Sequence, residues 1–223
     1  MVNGDVEVII TADNAYGFGY GEADTMLNYF GGVEAKTAGQ IFNCNGGPET
    51  YTVPSQDAAA GNYLFIIGYA DKSVTQGVLA QFRRMSEDKQ SYGDAVYTGH
   101  GDWSVCATNQ DFNPGSGGPS LNDINAALPN CVWLDQTGDA TGKVAYGEDN
   151  TTPYDGGPKL GNEFTVACGI DDEAKWMWFN WDPANIVWPT TSSPFLWPGG
   201  SGNPAREFLI FRLKANDVPE PPK

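Results

Sequence analysis

Positive charge is scarce in this sequence: 12 lysines and arginines stand against 28 acidic residues, for a formal net charge of −16. Such a surface repels phosphate backbones and anionic lipid, so we expect no nucleic-acid partner. No apolar run reaches the roughly 18 residues of a membrane span, so we expect no membrane insertion. The start "MVNGDVEVIITADN" also lacks the features of a signal peptide, so a removed leader or another export route is expected. The acidic balance favours an extracellular setting or the surface of a cell or particle.

Histidine is almost absent, which limits the catalytic mechanisms open to the chain. The single histidine, His100, lies in the turn-like "YTGHGDWS", and no G-x-S-x-G sequence supplies a nucleophile for it. No pair of carboxylates stands out in an apolar setting that would raise the pKa of a glycosidase acid. The glycine-rich "GSGGPS" lacks the lysine of a phosphate-binding loop. We therefore predict that the protein is not an enzyme and has no organic cofactor.

The cysteines lack the close Cys-x-x-Cys spacing of zinc and redox sites. Cys44, Cys106, Cys131 and Cys168 allow three pairings. Cys131 closes the short stretch "PSLNDINAALPNC", and Cys106 lies just before it. We therefore predict a disulfide between Cys106 and Cys131, with free buried thiols as the alternative.

Glycine and proline are plentiful, with 28 and 15 residues, and long helix-forming runs are missing. This composition is typical of short strands joined by turns. "DVEVIITADNAYGFGYG" predicts a strand, a turn and a second strand, and "NYLFIIGYA" (62–70) predicts a strand buried on both faces. We predict one all-β domain over residues 1–215, followed by a terminal tail at 216–223.

Residues 109–165 differ from the rest because loop sequences dominate them. One short helix is predicted from Leu121 to Leu128, where Ser120 or Asn122 caps the start and Pro129 limits the end. We interpret this stretch as a long loop-rich insertion into the β domain. A compact loop-rich subdomain is the alternative.

Three tryptophans fall within "KWMWFNWDP" (175–183). Side chains alternate along a strand, so Trp176 and Trp178 share one face while Met177 takes the other. Apolar groups on both faces indicate a strand inside a sandwich, and we predict that Trp103, Trp176 and Trp178 are structural.

The order of these segments resembles the galactose-binding-like jelly-roll domains found beside glycoside hydrolase catalytic domains and in secreted bacterial surface proteins. The resemblance lies in "TADNAYGFGYGEA", "YTVPSQDAAAGNYLFIIGYADKS", "GVLAQF", "GDWSVCAT", "KWMWFNW" and "REFLIFRL". It implies a jelly-roll β-sandwich that assists an enzyme rather than acting as one. The insertion at 109–165 and the glycine–aromatic hairpin "YGFGYGEADTMLNYFGG" depart from the family pattern, so no binding site is transferred.

Four tryptophans in Pro-, Gly- or Asp-rich context suggest a glycan-binding adhesion module: Trp133, Trp181, Trp188 and Trp197. Flat rings stack on the C–H faces of sugars while neighbouring polar side chains bond the hydroxyls. The alternative is that these rings hold long loops against the sandwich.

A different hypothesis is a structural or assembly subunit, such as a fibre, surface-layer, capsid-decorating or extracellular-particle protein. The long loop "IVWPTTSSPFLWPGGSGNP" (186–204) could then reach a neighbouring subunit. An accessory domain from a larger hydrolase is a third possibility.

Clustered carboxylates near glycines suggest a structural calcium ion. The candidates for its ligands are Asp149 in "GEDNTTPYD" and Asp171 and Asp172 in "GIDDEAK". Neither stretch has the spacing of an EF-hand loop, so the ligands would come from separate loops.

Overall fold

The structure is a computed structural model. Two antiparallel β-sheets form most of it. Helix is confined, within the described part of the chain, to α1 (Ala38–Ile41), α2 (Leu121–Ala127) and short 3-10 turns at Leu128–Asn130 and Ala215–Asp217. None of these helices is long and apolar enough to cross a membrane. The all-β fold class predicted from the sequence is confirmed. The residues that the structure describes are 4–41, 48–69, 76–100, 103–110, 112, 115–135, 143–151, 166–180, 194–195 and 208–222.

Each sheet draws its strands from distant parts of the chain. In spatial order, the first sheet contains β10 (Val144–Asp149), β11 (Lys175–Phe179), β6 (Gly77–Arg84), β1 (Val6–Asp13) and β4 (Glu49–Val53), with β7 (Val96–Tyr97) also paired to β6. The second sheet contains β3 (Thr25–Glu34), β2 (Ala15–Glu22), β5 (Tyr63–Gly68), β12 (Leu209–Lys214), β8 (Ser104–Ala107) and β9 (Leu134–Asp135). The arrangement is consistent with a β-sandwich.

The strand β1 shows how the sequence selects this layout. Val6, Val8 and Ile10 are fully buried, while the residues between them are only partly buried. This alternation directs every second side chain into one hydrophobic cluster, to which β12 contributes Phe211. The two sheets therefore share a core although their strands are far apart in the chain.

The strand β5 is buried on both faces, as its continuous apolar run predicts. Leu64 and Ile66 join the core between the sheets, whereas Phe65 and Ile67 belong to a second cluster on the other face. The helix α2 covers that second cluster with side chains that include Ile124.

The tryptophans of β11 belong to the core, as predicted. Trp176 is fully buried, Trp178 is 1% exposed and Trp103 is 1% exposed. Met177 faces the other way and is also buried, so β11 is covered on both sides. The prediction that these three rings are structural is confirmed at the level of burial.

Two short strands lie within residues 109–165, and the interpretation of this stretch as an insertion stays a prediction. β9 pairs with β8 in the second sheet, and β10 pairs with β11 in the first. Before β9, α2 begins as predicted, because Ser120 and Asp123 form a reciprocal capping box at its start. The sequence pattern did not predict β9 and β10, because both strands are short and lie among turn residues.

Val218, inside the stretch predicted as a terminal tail (216–223), is packed, whereas Pro219, Glu220 and Pro222 are exposed, and the tail stays a prediction. Val218 is 1% exposed, and its carbonyl accepts a hydrogen bond from Arg84 Nε at 3.1 Å. A second bond, 2.7 Å long, joins Arg84 Nη2 to the carbonyl of Ala215. A buried guanidinium therefore holds the end of the chain against β6.

The predicted disulfide between Cys106 and Cys131 is present, with a Cα–Cα distance of 5.5 Å. Cys168 is also disulfide-bonded. The Cys106–Cys131 bridge fastens the chain just after α2 to β8, across a sequence separation of 25 residues.

We expect the Cys106→Ala, Cys131→Ala double variant to lose about 3 kcal/mol of unfolding free energy, because the bridge restricts the unfolded chain. Urea unfolding of the variant and the wild type under non-reducing conditions measures this difference. A loss below about 1 kcal/mol would show that the bridge does not constrain the unfolded state as this model of chain entropy requires.

Candidate functional site

The predicted ligand-contact tryptophans are only partly described. Trp181, Trp188 and Trp197 lie outside the described residues, so their role stays a prediction. Trp133 is half-buried, and the guanidinium carbon of Arg212 lies 3.7 Å from the centre of its ring. One ring face of Trp133 is therefore occupied by a contact within the chain.

The same guanidinium has further partners. Arg212 Cζ lies 4.7 Å from the ring centre of Tyr63, and Arg212 Nε donates a hydrogen bond to Ser104 Oγ at 3.1 Å. Burial lowers the pKa of Arg212. The Trp133 ring thus completes an ordered stack on the outer face of the second sheet.

Asp171, a predicted calcium ligand, binds side chains of the first sheet. Its carboxylate pairs with the Arg83 guanidinium and accepts a hydrogen bond from the Tyr97 hydroxyl at 2.8 Å. Burial is the largest influence on the pKa of Tyr97, and with the bond to Asp171 it raises that pKa. Asp172 is exposed, and the Asp149 carboxylate accepts a hydrogen bond from the Thr151 amide at 3.3 Å.

The loop that carries Asp171 is fixed by an amide side chain. Asn150 Nδ2 donates to the carbonyls of Ala167 and Ile170 at 2.9 and 2.7 Å, and Asn150 Oδ1 accepts from the Ala167 amide at 2.8 Å. Within the described residues, no group of three or more His, Cys, Asp or Glu side chains could hold a metal ion. The calcium ion stays a prediction.

The structure brings together a group of aromatic side chains that the sequence did not predict as a site. We call it the aromatic site; its members are Tyr16, Phe18, Tyr20, Phe30 and Tyr51. Its rings come from β2, from the edge strand β3 of the second sheet and from the edge strand β4 of the first. Edge strands of two different sheets therefore build it together.

The alternation of glycine with aromatic residues in "AYGFGYG" positions the site. Every second residue of β2 is aromatic, so Tyr16, Phe18 and Tyr20 share the face that looks between the sheets. On the other face, a Cβ added at Gly17 would lie 2.2 Å from the Tyr29 hydroxyl oxygen. Only glycine leaves room for that close approach.

Phe30 is the exposed ring of the aromatic site. Its centre lies 5.7 Å from that of Phe18, in a stacked arrangement, and 4.9 Å from that of Tyr51. Phe30 nevertheless stays 44% exposed, whereas Phe18 is fully buried. The Phe30 ring is thus packed against Phe18 and Tyr51 while part of its surface faces solvent.

Polar groups border the rings. The Tyr16 hydroxyl donates to Glu49 Oε2 at 2.9 Å and lies 3.0 Å from the Tyr51 hydroxyl. Because the Tyr16 hydroxyl donates its single proton to Glu49, the Tyr51 hydroxyl is the donor in the hydrogen bond between the two tyrosines. Burial raises the pKa of both tyrosines, so both hydroxyls keep their protons at neutral pH.

A further polar group lies beside Tyr20. Burial is the main cause of the raised pKa of Tyr20, and the nearby carboxylate of Asp57 raises that pKa further. The aromatic site therefore combines an exposed ring face with the carboxylates of Glu49 and Asp57. This arrangement suits a ligand with one apolar face and several hydroxyl donors.

A cavity of about 360 Å³ lies elsewhere, between α2 and the end of β8. Its lining includes Asn109, Gln110 and Asn130 but no acidic, basic or histidine side chain. The described walls therefore supply no group for acid–base chemistry.

Comparisons with protein-family models, with curated proteins and with solved structures gave no match for this chain in any of the three.

Proposed function

We propose that the protein is a non-catalytic recognition and adhesion module that binds a glycan at the aromatic site, outside the cell or on the surface of a cell or particle. The observation that carries this proposal is the exposed ring of Phe30, which is 44% exposed and stacked on Phe18. A ring held in this way loses little side-chain freedom when a ligand stacks on it.

The border of the site favours a neutral glycan. Glu49 and Tyr51 offer acceptor oxygens for sugar hydroxyls, since the Tyr51 proton is already donated to Tyr16. The formal net charge of −16 repels acidic sugars and sulfated chains. The proposed ligand is therefore an uncharged saccharide with an unsubstituted C–H face.

We also propose that the fold is a jelly roll of the galactose-binding-like type. The support is the order of the resembling segments, together with the placement of the first two strands, β1 in one sheet and β2 in the other. Function is argued from the aromatic site alone, because this architecture hosts many activities.

We expect Phe30→Ala to weaken glycan binding roughly tenfold, because the exposed stacking surface is lost. A glycan array identifies an uncharged ligand, and calorimetry then compares its affinity for the wild type and the variant. Tyr51→Phe keeps the ring but removes the hydroxyl, so a smaller loss is expected there.

The matched control is Leu27→Ala, which removes another exposed apolar side chain, 53% exposed, from the same strand. The control should retain wild-type affinity. Equal affinity of folded Phe30→Ala and wild type for an array ligand, or no array ligand at all, would refute the proposed site.

An assembly subunit is the second candidate, and the exposed side chains of β3 favour it. Leu27 and Phe30, two of the large apolar residues left exposed, both lie on this edge strand. Such side chains can mark contacts between subunits. Light scattering separates the candidates, because a discrete monomer with glycan affinity supports the first and large oligomers without it support the second.

A further inference from the structure

The strand β3 forms one edge of the second sheet and has few of the features that keep edge strands apart. It runs from Thr25 to Glu34, and its only paired strand among those described is β2. Its sequence, "TMLNYFGGVE", contains no lysine, arginine or proline, and Leu27 is exposed. Unpaired edges of this kind are templates for pairing with another chain.

The beginning of this edge is covered by a side chain that imitates a neighbouring strand. The Met26 amide donates to Asn125 Oδ1 at 2.7 Å, and Asn125 Nδ2 donates to the Met26 carbonyl at 3.1 Å. Both backbone groups of one edge residue are thereby satisfied by a single amide on α2. A partner strand would satisfy the same two groups.

The other end of the edge is covered by the loop before α2. The Gly117 amide donates to Glu34 Oε1 at 3.0 Å. A Cβ added at Gly32 would lie only 2.2 Å from the Gly117 carbonyl oxygen, so the loop backbone lies directly against β3. The capping box of Ser120 and Asp123 joins this loop to α2.

We propose that residues 115–127, which we call the edge guard, keep β3 from pairing with the β3 strand of a second copy of the chain. An antiparallel pair of identical strands places the same residues on both sides of a two-fold axis, so β3 is complementary to itself. β3 carries no basic residue, and the features on it that oppose such a pair are the acidic Glu34 and two register irregularities in its pairing with β2, at Gly17/Gly19 and at Tyr20/Gly21. When the guard is released, the second sheet continues across the two copies.

The test breaks both contacts of the guard with Asn125→Ala and Glu34→Ala in the full-length protein. The matched control is Asn130→Ala with Glu22→Ala. Among the described residues, the Asn130 side chain bonds within its own helical segment, to the Ala126 carbonyl. Glu22 is exposed at the end of β2. Sedimentation and light scattering measure mass against concentration. Because each copy carries a formal charge of −16, the series is run at about 0.5 M NaCl, where repulsion is screened.

We expect the double variant to associate roughly tenfold more tightly than the control and the wild type. Adding Leu27→Lys to the double variant should abolish the association, because a charge on the edge opposes strand pairing. Hydrogen exchange at the Met26 amide should be fast in a dilute solution of the variant and slow in a concentrated one.

If the double variant does not fold, Asn125→Asp alone is measured in the same way, since it removes the donor to the Met26 carbonyl. A folded variant that keeps the control's mass at every concentration, or an association that Leu27→Lys leaves intact, overturns the proposal.

Discussion

Replacing Arg84 with methionine is expected to lower the free energy of unfolding by about 3–5 kcal/mol. The Arg84 side chain is fully buried and donates to the carbonyls of Gly4, Ala58, Ala215 and Val218 at 2.7 to 3.1 Å. Methionine fills a similar volume but donates nothing, so four carbonyl groups lose their partner in a buried place. Arg84→Lys should also destabilise, because one ammonium cannot reach four carbonyls in the plane of a guanidinium.

The neighbouring residue supplies the control for this prediction. Arg83 has the same side chain on the opposite face of β6, where it is partly exposed and pairs with Asp171. Arg83→Met is expected to cost less than about 1 kcal/mol, as partly exposed ion pairs usually do. Urea unfolding followed by tryptophan fluorescence measures both variants. Equal losses for the two would show that the carbonyl contacts of Arg84 contribute nothing specific.

Replacing Trp178 with alanine is also expected to cost about 3–5 kcal/mol, because a large buried ring leaves a cavity between the sheets. Trp178 is 1% exposed, and its ring centre lies 6.0 Å from that of Phe211 in the opposite sheet. A Cβ added at Gly68 would lie 2.8 Å from the Trp178 ring, so the ring is packed against backbone. The surrounding strands have little freedom to collapse into the space.

A conservative variant tests whether packing alone holds this tryptophan. The indole Nε1 of Trp178 is buried and makes no hydrogen bond to the described part of the chain. Trp178→Phe therefore sacrifices no bond and should cost clearly less than Trp178→Ala. Thermal unfolding and glycan binding are measured together. Unchanged stability with lost binding in Trp178→Ala would identify the ring as a binding platform instead of a core residue.

Local patterns were enough to predict several elements. Alternation in "KWMWF" placed Trp176 and Trp178 on one buried face, and the unbroken apolar run of β5 predicted burial on both faces. The start of α2 at Leu121 followed from Ser120 and the residues after it. In each case the determining interactions lie within one strand or one helical turn, so the spacing of residues carries the information.

The aromatic site could not be predicted from the sequence in the same way. The repeat "AYGFGYG" is a visible signal for one row of rings, although by itself it indicates only a departure from the pattern of the resembling family. Phe30 and Tyr51 join that row because β3 and β4 are edges of different sheets that meet at one side. Sheet order is a long-range property, and no local spacing encodes which edges become neighbours.

Strand periodicity and glycine–proline punctuation are local properties, so they suffice to predict an all-β protein with a buried tryptophan strand. The roles of Arg83 and Arg84, which are adjacent and chemically identical in the sequence, depend instead on long-range packing. Their side chains point to opposite faces of β6, and the chain end from Ala215 to Val218 packs over one of them. Whether an arginine is a surface ion pair or the centre of a buried carbonyl cluster depends on which distant backbone covers it.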